Sequence, residues 1–449
     1  MKALEIIINR MKENPNIPAL YWKDKEYSYR DLIEMIEEWE AYLKNKNIAT
    51  GSICGVVGEF SPRTCSLFFA LMKNKSIIVP FTKEIKSEIP YYIKIAEIQW
   101  IFQFDNKDEW ILEKICTYTE NELIKSFKER EHAGLIVFSS GSTGKPKGIL
   151  HDCEKVLNKF TKQRKGWRTV LFLMMDHFGG FNTFLSTFAY LGVGICIDER
   201  TPENICKNIE KSKATLLPTT PTFLNLLIAS KCYYNYDLGS IELITYGTEM
   251  MNEVTLKKIN TIFPNSETKQ TYGLSEVGVL RSRSESDGSL WVKLGGDGFE
   301  TKIIDNILWV RSEANMVGYI NAENPFNEDG WMCTGDEVEV KGEYVRFVGR
   351  KSEVINVGGQ KVFPGEVETV LLQADNIKEV SVYGVLHPLM GQVVQARVSL
   401  YESEEAFNLT QRLRKHCMGK LAKYKIPTRF TIVTLEEQHS PRFKKLRNI

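Results

Sequence analysis

A loop rich in glycine, hydroxyl residues and lysine has the side chains that bind phosphate groups. The stretch from Leu135 to Asp152 reads LIVFSSGSTGKPKGILHD, so the loop follows one apolar run and precedes another. Glycines let backbone N–H groups approach an anion, hydroxyls donate hydrogen bonds, and lysines supply charge. The residues concerned are Ser139, Ser140, Gly141, Ser142, Thr143, Gly144, Lys145, Lys147 and Gly148. Alone, such a loop is more often a solvated turn, and Pro146 stands where the Walker pattern requires Ser or Thr.

Two later strings have side chains suited to the rest of a nucleotide. In QTYGLSE, the ring of Tyr272 offers a flat face to a purine, and Ser275 can hold a phosphate oxygen. Glu276 is a hard oxygen ligand suited to Mg²⁺. A β-turn would explain the Tyr-Gly pair but not Ser275 and Glu276. In NEDGWMCTGD, Asp336 ends a predicted tight turn, where its carboxylate could accept hydrogen bonds from both ribose hydroxyls.

The order and content of these strings resemble the signatures of the adenylate-forming superfamily. This superfamily includes acyl- and aryl-CoA synthetases, nonribosomal peptide synthetase adenylation domains and luciferases. The glycine loop resembles (S/T)-S-G-(S/T)-T-G-x-P-K-G, and the two later strings resemble (N/Q)-x-Y-G-x-(T/S)-E and D-G-W-x-x-T-G-D. The tail, SPRFKKLR, resembles P-R-(T/N)-x-x-G-K-(I/L)-x-R with residues missing and the glycine absent. The resemblance spans nearly the whole chain and is closest to the AMP-forming acyl-CoA synthetases.

The resemblance implies a catalytic nucleotide site built from distant parts of the chain. Its glycine loop would hold the phosphates that leave as pyrophosphate, and Ser275 and Glu276 would hold the α-phosphate and Mg²⁺. Lys445 would be the catalytic lysine, with Lys444 as the alternative because the shortened tail can be aligned in two ways. A frayed basic C-terminus is the remaining interpretation. The implied nucleotide-binding residues are Ser139, Ser140, Gly141, Ser142, Thr143, Gly144, Lys147, Gly247, Thr248, Glu249, Gln270, Thr271, Tyr272, Gly273, Asp336 and Arg350.

An acid and a thiol would bind at two further places. The buried run Val170–Met175 predicts a strand that ends at Asp176 and His177. A histidine here is often only a satisfied residue at a strand end. Acyl- and aryl-CoA synthetases frequently have His-x-x-Gly at this place, which favours an acid without an α-ammonium group, although Asp176 keeps an amino acid open. The implied acid-binding residues are His177, Phe178, Gly179 and Gly273. The implied thiol-tunnel residues are Gly358 and Gly359.

The elements that must position these residues alternate between strand and helix. This alternation is typical of an α/β fold with helices on the faces of a sheet. A chain of 449 residues is too long for one core. The resemblance implies a large N-terminal domain over residues 1–348, a hinge at 349–352 and a small mobile α+β domain over 353–449. Ser352 stands at the pivot, where the family has Asp or Lys, but a hinge needs backbone freedom more than charge.

Composition restricts the partners and the compartment. A net charge of +1 gives no electrostatic argument for nucleic acid, and no apolar run approaches the ~18 residues of a membrane span. Nine cysteines without a C-x-x-C pair indicate reduced thiols in a cytoplasmic protein. Residues 349–449 contain 16 Lys and Arg against 10 Asp and Glu, which suits a phosphate-bearing partner. The sequence predicts neither the oligomeric state nor the acid.

The resemblance implies a two-step ligase that uses ATP, Mg²⁺ and coenzyme A. A small-molecule carboxylic acid would attack ATP to give an acyl adenylate and pyrophosphate, and the thiol of CoA would then take the acyl group. An alternative acceptor is the phosphopantetheine of a separate acyl carrier protein. A third possibility, suggested by the shortened tail and Ser352, is a non-catalytic nucleotide-binding relative. Glu276, Asp336 and Arg350 argue against it.

Overall fold

The computed structural model describes residues 2–115, 118–139, 146–286, 288–296, 298–439 and residue 445. Its helices are α1 (Lys2–Glu13), α2 (Tyr29–Asn45), α3 (Pro62–Lys73), α4 (Ile89–Ile95), α5 (Glu122–Lys128), α6 (Cys153–Asn158), α7 (Phe178–Ala189), α8 (Pro202–Ser212), α9 (Pro221–Ser230), α10 (Glu253–Ile262), α11 (Pro364–Leu371) and α12 (Ala406–Cys417). Helix starts follow local chemistry: Ser28 forms a capping box with Asp31 at α2, and Thr220 caps α9 ahead of Pro221.

The strands are distributed over four sheets. They are β1 (Pro18–Trp22), β2 (Lys25–Ser28), β3 (Ile53–Val57), β4 (Ile77–Phe81), β5 (Trp100–Phe104), β6 (Trp110–Lys114), β7 (Gly134–Ser139), β8 (Lys147–Asp152), β9 (Arg168–Val170), β10 (Val193–Ile195), β11 (Leu216–Thr219), β12 (Leu243–Tyr246), β13 (Glu267–Gln270), β14 (Tyr272–Leu274), β15 (Gly278–Ser284), β16 (Val292–Gly295), β17 (Phe299–Ile304), β18 (Ile307–Ser312), β19 (Gly318–Tyr319), β20 (Met332–Lys341), β21 (Tyr344–Arg350), β22 (Ile355–Val357), β23 (Gln360–Val362), β24 (Ile377–His387), β25 (Gly391–Leu400) and β26 (Arg429–Ile432). This mixed architecture confirms the predicted α/β class with α+β elements.

Two sheets are covered by helices: the first is parallel apart from its β1–β2 pair, and the second has three parallel and three antiparallel pairs. The first sheet has the order β13-β12-β11-β9-β10-β1-β2, and the second has the order β19-β8-β7-β4-β3-β5-β6. Helices α2, α3 and α7 share a core between the two sheets, while α8, α9 and α10 cover the first sheet and α4 and α5 cover the second. Helix α7 is apolar around most of its surface because it lies inside this layered core, where Phe184 packs against Phe69 with ring centroids 5.1 Å apart.

The other two sheets are mainly antiparallel. The third sheet has the order β14-β15-β16-β21-β20-β18-β17 and encloses its own small core. The fourth has the order β23-β22-β25-β24, with β26 paired in parallel to β25, and packs against α11 and α12. A single residue, Thr271, separates the last strand of the first sheet from the first strand of the third. The chain therefore crosses between two sheets within the QTYGLSE string.

The predicted strand before His177 is wrong in its extent. Strand β9 ends at Val170, and the apolar residues after it leave the sheet. The carbonyl of Phe172 accepts a hydrogen bond from Arg200 at 2.7 Å, and the His177 N–H donates to the Met174 carbonyl at 3.1 Å. His177 consequently stands at the N-cap of α7 rather than at a strand end.

Candidate functional site

Asp336 lies at the centre of a hydrogen-bonded cluster in the third sheet. The Tyr272 hydroxyl donates to its Oδ2 at 2.6 Å, and Arg350 Nε donates to its Oδ1 at 2.9 Å. Arg350 is opposite Asp336 in the pairing of β20 with β21, so the backbone register fixes this ion pair. An ionised carboxylate has about four acceptor positions, so each oxygen can accept a further hydrogen bond.

Asp336 lies within a strand and not, as predicted, at the end of a tight turn. The residue lies within strand β20, where Gly335 has a φ of +72° and Thr334 Oγ1 accepts the Asp336 N–H at 3.0 Å. The left-handed backbone at Gly335 is therefore a local irregularity inside a strand. The surrounding strands hold the carboxylate in the cluster, and Asp336 is only 7% exposed.

Phe347 supports the aromatic part of this cluster and was missed in the sequence. Its ring stacks on Tyr272 with centroids 4.6 Å apart and an interplanar angle of 17°. Burial, followed by the charge of Asp336, raises the pKa of Tyr272 well above its usual value. Tyr272 therefore stays a neutral hydrogen-bond donor. Phe347 belongs to an alternating strand pattern typical of any sheet residue, so only the fold identifies its partner.

Glu276 is bonded to a tyrosine outside the recognised strings. The Tyr319 hydroxyl donates to Glu276 Oε1 at 2.7 Å, and Lys147 Nζ lies 4.8 Å from the centroid of the Tyr319 ring. Burial, with Glu276 next, raises the pKa of Tyr319. Strand β19 pairs with β8 and thereby brings Tyr319 between Glu276 and the end of the glycine loop.

The two ends of the glycine loop form an antiparallel pair. Ser139 ends β7 directly opposite Lys147, which begins β8. Asn321 holds the returning arm, because its Oδ1 accepts from Gly148 N at 2.9 Å and its Nδ2 donates to the Pro146 carbonyl at 2.9 Å. The predicted phosphate contacts of Ser140, Gly141, Ser142, Thr143 and Gly144 lie outside the described residues.

The segment from Gly247 to Glu249 packs against the QTYGLSE string. A Cβ on Gly247 would lie 2.5 Å from Thr271 Oγ1, so this close approach requires glycine. Thr271 N–H donates to the Tyr246 carbonyl at 2.7 Å, and Thr248 has a φ of +68°. Gln270 is buried, and its carbonyl accepts the Ser282 hydroxyl. These contacts fix the backbone beside Tyr272 and Gly273.

Glu249 points toward groups other than the Asp336 cluster. Its Oε2 accepts from the backbone and hydroxyl of Thr222 at the start of α9, and its Oε1 accepts from Lys445 N at 3.0 Å. Glu249 thus links the first sheet's helices to the C-terminal tail. Its predicted role beside the nucleotide remains a prediction.

Three of the four predicted acid-binding residues, His177, Phe178 and Gly179, lie at the start of α7, whereas Gly273 lies on β14. Phe178 is buried, and its ring lies 4.5 Å from the ring of His151 on β8. Gly180 allows this turn of α7 to pack tightly, since a Cβ there would lie 1.9 Å from the Met174 carbonyl oxygen. Burial lowers the pKa of His151 to about 3, so this second histidine is neutral. Sequence reasoning missed His151, because an isolated histidine in an apolar strand has no distinguishing pattern.

Lys445 is held within the fourth sheet's core. Its Nζ lies 2.9 Å from the Val380 carbonyl oxygen, 3.0 Å from Glu379 Oε1 and 3.3 Å from Glu368 Oε2. Its side chain is 11% exposed, and both glutamates are buried. The structure therefore does not place the Lys445 ammonium in the Asp336 cluster. The alternative residue, Lys444, lies outside the described residues.

Gly358 and Gly359 form the turn between β22 and β23. Their φ angles are +56° and +81°, which favour glycine at both positions. The Gly358 N–H donates to the Met390 carbonyl at 2.8 Å. A Cβ on Gly359 would meet nothing within 4 Å, so its backbone is open to an approaching group. Their assignment to a thiol tunnel stays a prediction.

The side chains around Glu276 suit a Mg²⁺ ion that is held by one carboxylate together with substrate phosphates. In the described part of the chain, no three His, Cys, Asp or Glu side chains come together in a way that could hold a metal ion. Mg²⁺ commonly binds through one or two carboxylates and phosphate oxygens, and Glu276 beside Lys147 and Tyr319 fits this arrangement. Within the same residues, no helix is long and apolar enough to cross a membrane.

Family models match most of the chain. Residues 8–306 match the model described as AMP-binding enzyme, and residues 366–441 match the AMP-binding enzyme C-terminal domain. Among curated proteins, an indoleacetate–CoA ligase of Aromatoleum aromaticum is 24% identical over 97% of this chain and 95% of its own length. A 2-succinylbenzoate–CoA ligase of Listeria monocytogenes is 23% identical over 94% of each chain.

Solved structures share the fold over nearly the full length. The anthranilate CoA ligase AuaEII in complex with anthranoyl-AMP has a TM-score of 0.81 and 20% identity, with 96% of this chain and 93% of that chain covered. The o-succinylbenzoate CoA synthetase of Bacillus subtilis, in complex with its acyl-adenylate intermediate, has a TM-score of 0.77 and 19% identity, with 99% and 97% covered. At these identities the structural likeness establishes the fold.

Proposed function

Because this chain belongs to the AMP-binding enzyme family, we propose that it activates a carboxylic acid with ATP and transfers the acyl group to the thiol of coenzyme A. The observation that supports this most directly is the Asp336 cluster. It presents a fixed carboxylate, a tyrosine and an arginine where the first and third sheets meet. Two relatives that match over nearly all of their length are named as CoA ligases.

The first half-reaction forms an acyl adenylate. A carboxylate oxygen of the acid attacks the α-phosphorus of ATP, and the bond from that phosphorus to the bridging oxygen of pyrophosphate breaks. Asp336 accepts from the ribose hydroxyls, and Arg350, held by Asp336, stays near the nucleotide. The residues that flank the glycine loop, Ser139 and Lys147, hold the departing phosphates. Catalysis by such positioning and charge neutralisation is typical of phosphoryl transfer.

Glu276 is the residue that would hold Mg²⁺, which supplies positive charge to the phosphates when bound. Tyr319 orients Glu276 by its 2.7 Å hydrogen bond to Oε1, so one carboxylate oxygen is fixed by the protein. This is the role that supporting hydrogen bonds have at metal-binding carboxylates.

The second half-reaction forms the thioester. The sulfur of CoA attacks the acyl carbon, the bond from that carbon to the AMP oxygen breaks, and the thiol proton is released. We propose a hinge at residues 349–352, about which residues 353–449 turn to bring Gly358 and Gly359 toward the thiol. The open backbone at Gly359 supports this assignment. The phosphopantetheine of an acyl carrier protein is the alternative acceptor.

ATP–pyrophosphate exchange across a broad panel of carboxylic acids tests the first step. We expect exchange with at least one acid. Arg350→Gln should reduce it about tenfold or more, because a hydrogen bond to a charged group is lost from a partly buried cluster. Arg346→Gln on the same strand is the matched control, since Arg346 pairs with exposed Glu339 at 2.6 Å.

No exchange with any acid would support the non-catalytic, nucleotide-binding interpretation instead. Thioester formation is then compared between free CoA and a phosphopantetheinylated carrier protein. Faster transfer to the carrier would identify the carrier protein as the acceptor in place of CoA. The proposed adenylation step would be unaffected.

A further inference from the structure

One face of α7 differs from the rest of the helix. Phe181, Phe184 and Phe188 are buried, whereas Asn182, Thr183 and Ser186 are partly exposed. With Gly179, these three polar positions follow the spacing of one helical face, which begins beside His177. Under the proposed function, His177 is at the carboxylate end of the acid site. A helix face with small, polar side chains therefore begins at the carboxylate end of the acid site and extends along α7.

Lys159 contacts this polar face of α7. It is the residue that follows α6, and its Nζ donates to Asn182 Oδ1 at 2.6 Å. The ring of Phe160 lies 4.9 Å from the same nitrogen. Among the described residues, no carboxylate pairs with Lys159. An ammonium group has three N–H donors, so donors remain for a ligand beside Asn182.

Two other cations with little exposure have acidic partners. Arg200 pairs with Glu59 at 2.7 Å, and Lys425 pairs with Glu366 at 2.6 Å. Lys159 instead lies near a second cation, Arg281 on β15. Burial, then Arg281, lowers the pKa of Lys159 to about 7. Proteins rarely keep a partly buried charge without an opposite charge, so an anion at this position would remove an electrostatic cost.

Arg281 lies on a strand that packs against α7. Strand β15 packs against α7, and its first residue, Gly278, is adjacent to Phe178, whose ring atom would lie 3.6 Å from a Cβ at that glycine. Val279 and Arg281 alternate with the buried residues Leu280 and Ser282, so they share one face of the strand. The polar face of α7 thus lies together with this face of β15 and with Lys159. All three are next to the residues assigned to the acid.

We propose that the acid substrate carries a second anionic group, which Lys159 binds while Asn182 orients its ammonium. This inference rests on the proposed function, because it takes His177 as the end where the reacting carboxylate lies. Five residues of helix separate His177 from Asn182, a rise of about 7.5 Å. The two ends of the acid would then be separated by roughly a chain of five to seven carbons or one aromatic ring.

Exchange assays with matched acids test this proposal. Hexanedioate is compared with hexanoate, and benzene-1,4-dicarboxylate with benzoate, in wild-type protein and in Lys159→Met. Removing a charged hydrogen bond should lower kcat/KM for the dianionic member of a pair about 10- to 100-fold and leave the monoanionic member nearly unchanged. Lys155→Met is the matched control, because Lys155 is an exposed lysine on α6.

A charge reversal provides a gain of function that a folding defect cannot mimic. Lys159→Glu should raise exchange with 6-aminohexanoate relative to hexanedioate, since the glutamate attracts the ammonium end and repels a carboxylate. Equal effects of Lys159→Met on both members of each pair would overturn the proposal and leave the ligase function intact.

Direct binding separates the two proposals when exchange is absent. If no acid supports exchange, the ligase function fails, and hexanedioate binding is measured by calorimetry. Binding that Lys159→Met weakens at least about tenfold would support the anion site. Absence of hexanedioate binding, or equal binding by Lys159→Met, would overturn it.

Discussion

Two charged clusters of this molecule differ in how many of their hydrogen-bonding positions are filled by the protein itself. The Asp336 carboxylate holds two donors, Tyr272 and Arg350, and has further acceptor positions. The Lys445 ammonium has three donors, and the structure offers it three acceptors, from Glu368, Glu379 and the Val380 carbonyl. The first cluster can accept further hydrogen bonds from a ligand. The second is complete without one.

The two clusters differ in whether a group must move before it can reach a nucleotide. The Asp336 cluster is formed by strands of one sheet, so it needs no rearrangement to meet a nucleotide. Lys445 must leave two buried glutamates before it can reach a phosphate, and separating such a pair is costly. The predicted catalytic role of Lys445 therefore requires the C-terminal segment to adopt a second arrangement. If Lys445 instead has only a structural role, Lys444 becomes the candidate.

Lys445→Ala should have the largest effect. If Lys445 stabilises charge developing at the α-phosphate, adenylation should fall about 10²- to 10³-fold. Thioester formation from a supplied acyl adenylate should change far less. Rapid-quench measurement of the two half-reactions checks this, and equal losses in both would contradict the catalytic role.

The stability of the same variant distinguishes a structural lysine. Lys445→Ala leaves Glu368 and Glu379 buried without their cation, a change that costs about 3–5 kcal/mol in comparable buried pairs. We expect a lower Tm by calorimetry. Lys444→Ala is the matched control, and a selective loss of adenylation in that variant would transfer the catalytic role to Lys444.

Asp336→Asn should have the next largest effect. The amide keeps the shape of the carboxylate but loses its charge and one acceptor, so kcat/KM for ATP should fall about 10- to 100-fold. Steady-state exchange at varied ATP measures this, with Asp329→Asn in the same string as the control at an exposed position. An unchanged value would show that the Asp336 cluster does not bind the nucleotide.

Tyr319→Phe should have a smaller effect, seen in the Mg²⁺ dependence. Loss of one hydrogen bond to Glu276 should raise the Mg²⁺ concentration needed for half-maximal exchange by about tenfold or less. A Mg²⁺ titration measures the change. A reduced rate at saturating Mg²⁺ with the same midpoint would assign Tyr319 to packing instead.

Phe347→Leu should have the smallest effect of these substitutions. Stacked aromatic pairs contribute about 0.5–1.5 kcal/mol beyond their buried area, so the KM for ATP should rise about 2- to 10-fold. The same exchange assay with varied ATP measures it. An effect as large as that of Asp336→Asn would mean that Phe347 holds the nucleotide itself rather than the Tyr272 ring.

Much of the fold and part of the candidate site could be predicted from residue strings. Family membership and the mixed α/β class follow from motifs whose residue types are required locally, such as glycines at positive φ and capping residues. The supporting residues Phe347, Tyr319, Asn321 and His151 could not be predicted in this way. Each has an ordinary side chain in an ordinary strand or loop, and its role depends on a partner more than 25 residues away.

Local sequence patterns were enough to indicate which side chains suit a nucleotide, since such a site needs particular residue types at fixed local spacing. How these side chains are held depends on contacts that are seen only in the folded protein. The fold places Asp336 inside a strand between Tyr272 and Arg350, His177 at a helix start, Lys159 beside Asn182, and Lys445 between two buried glutamates. The physical reason is that charge pairing and burial depend on contacts between distant segments, and local patterns of residues do not specify which segments meet.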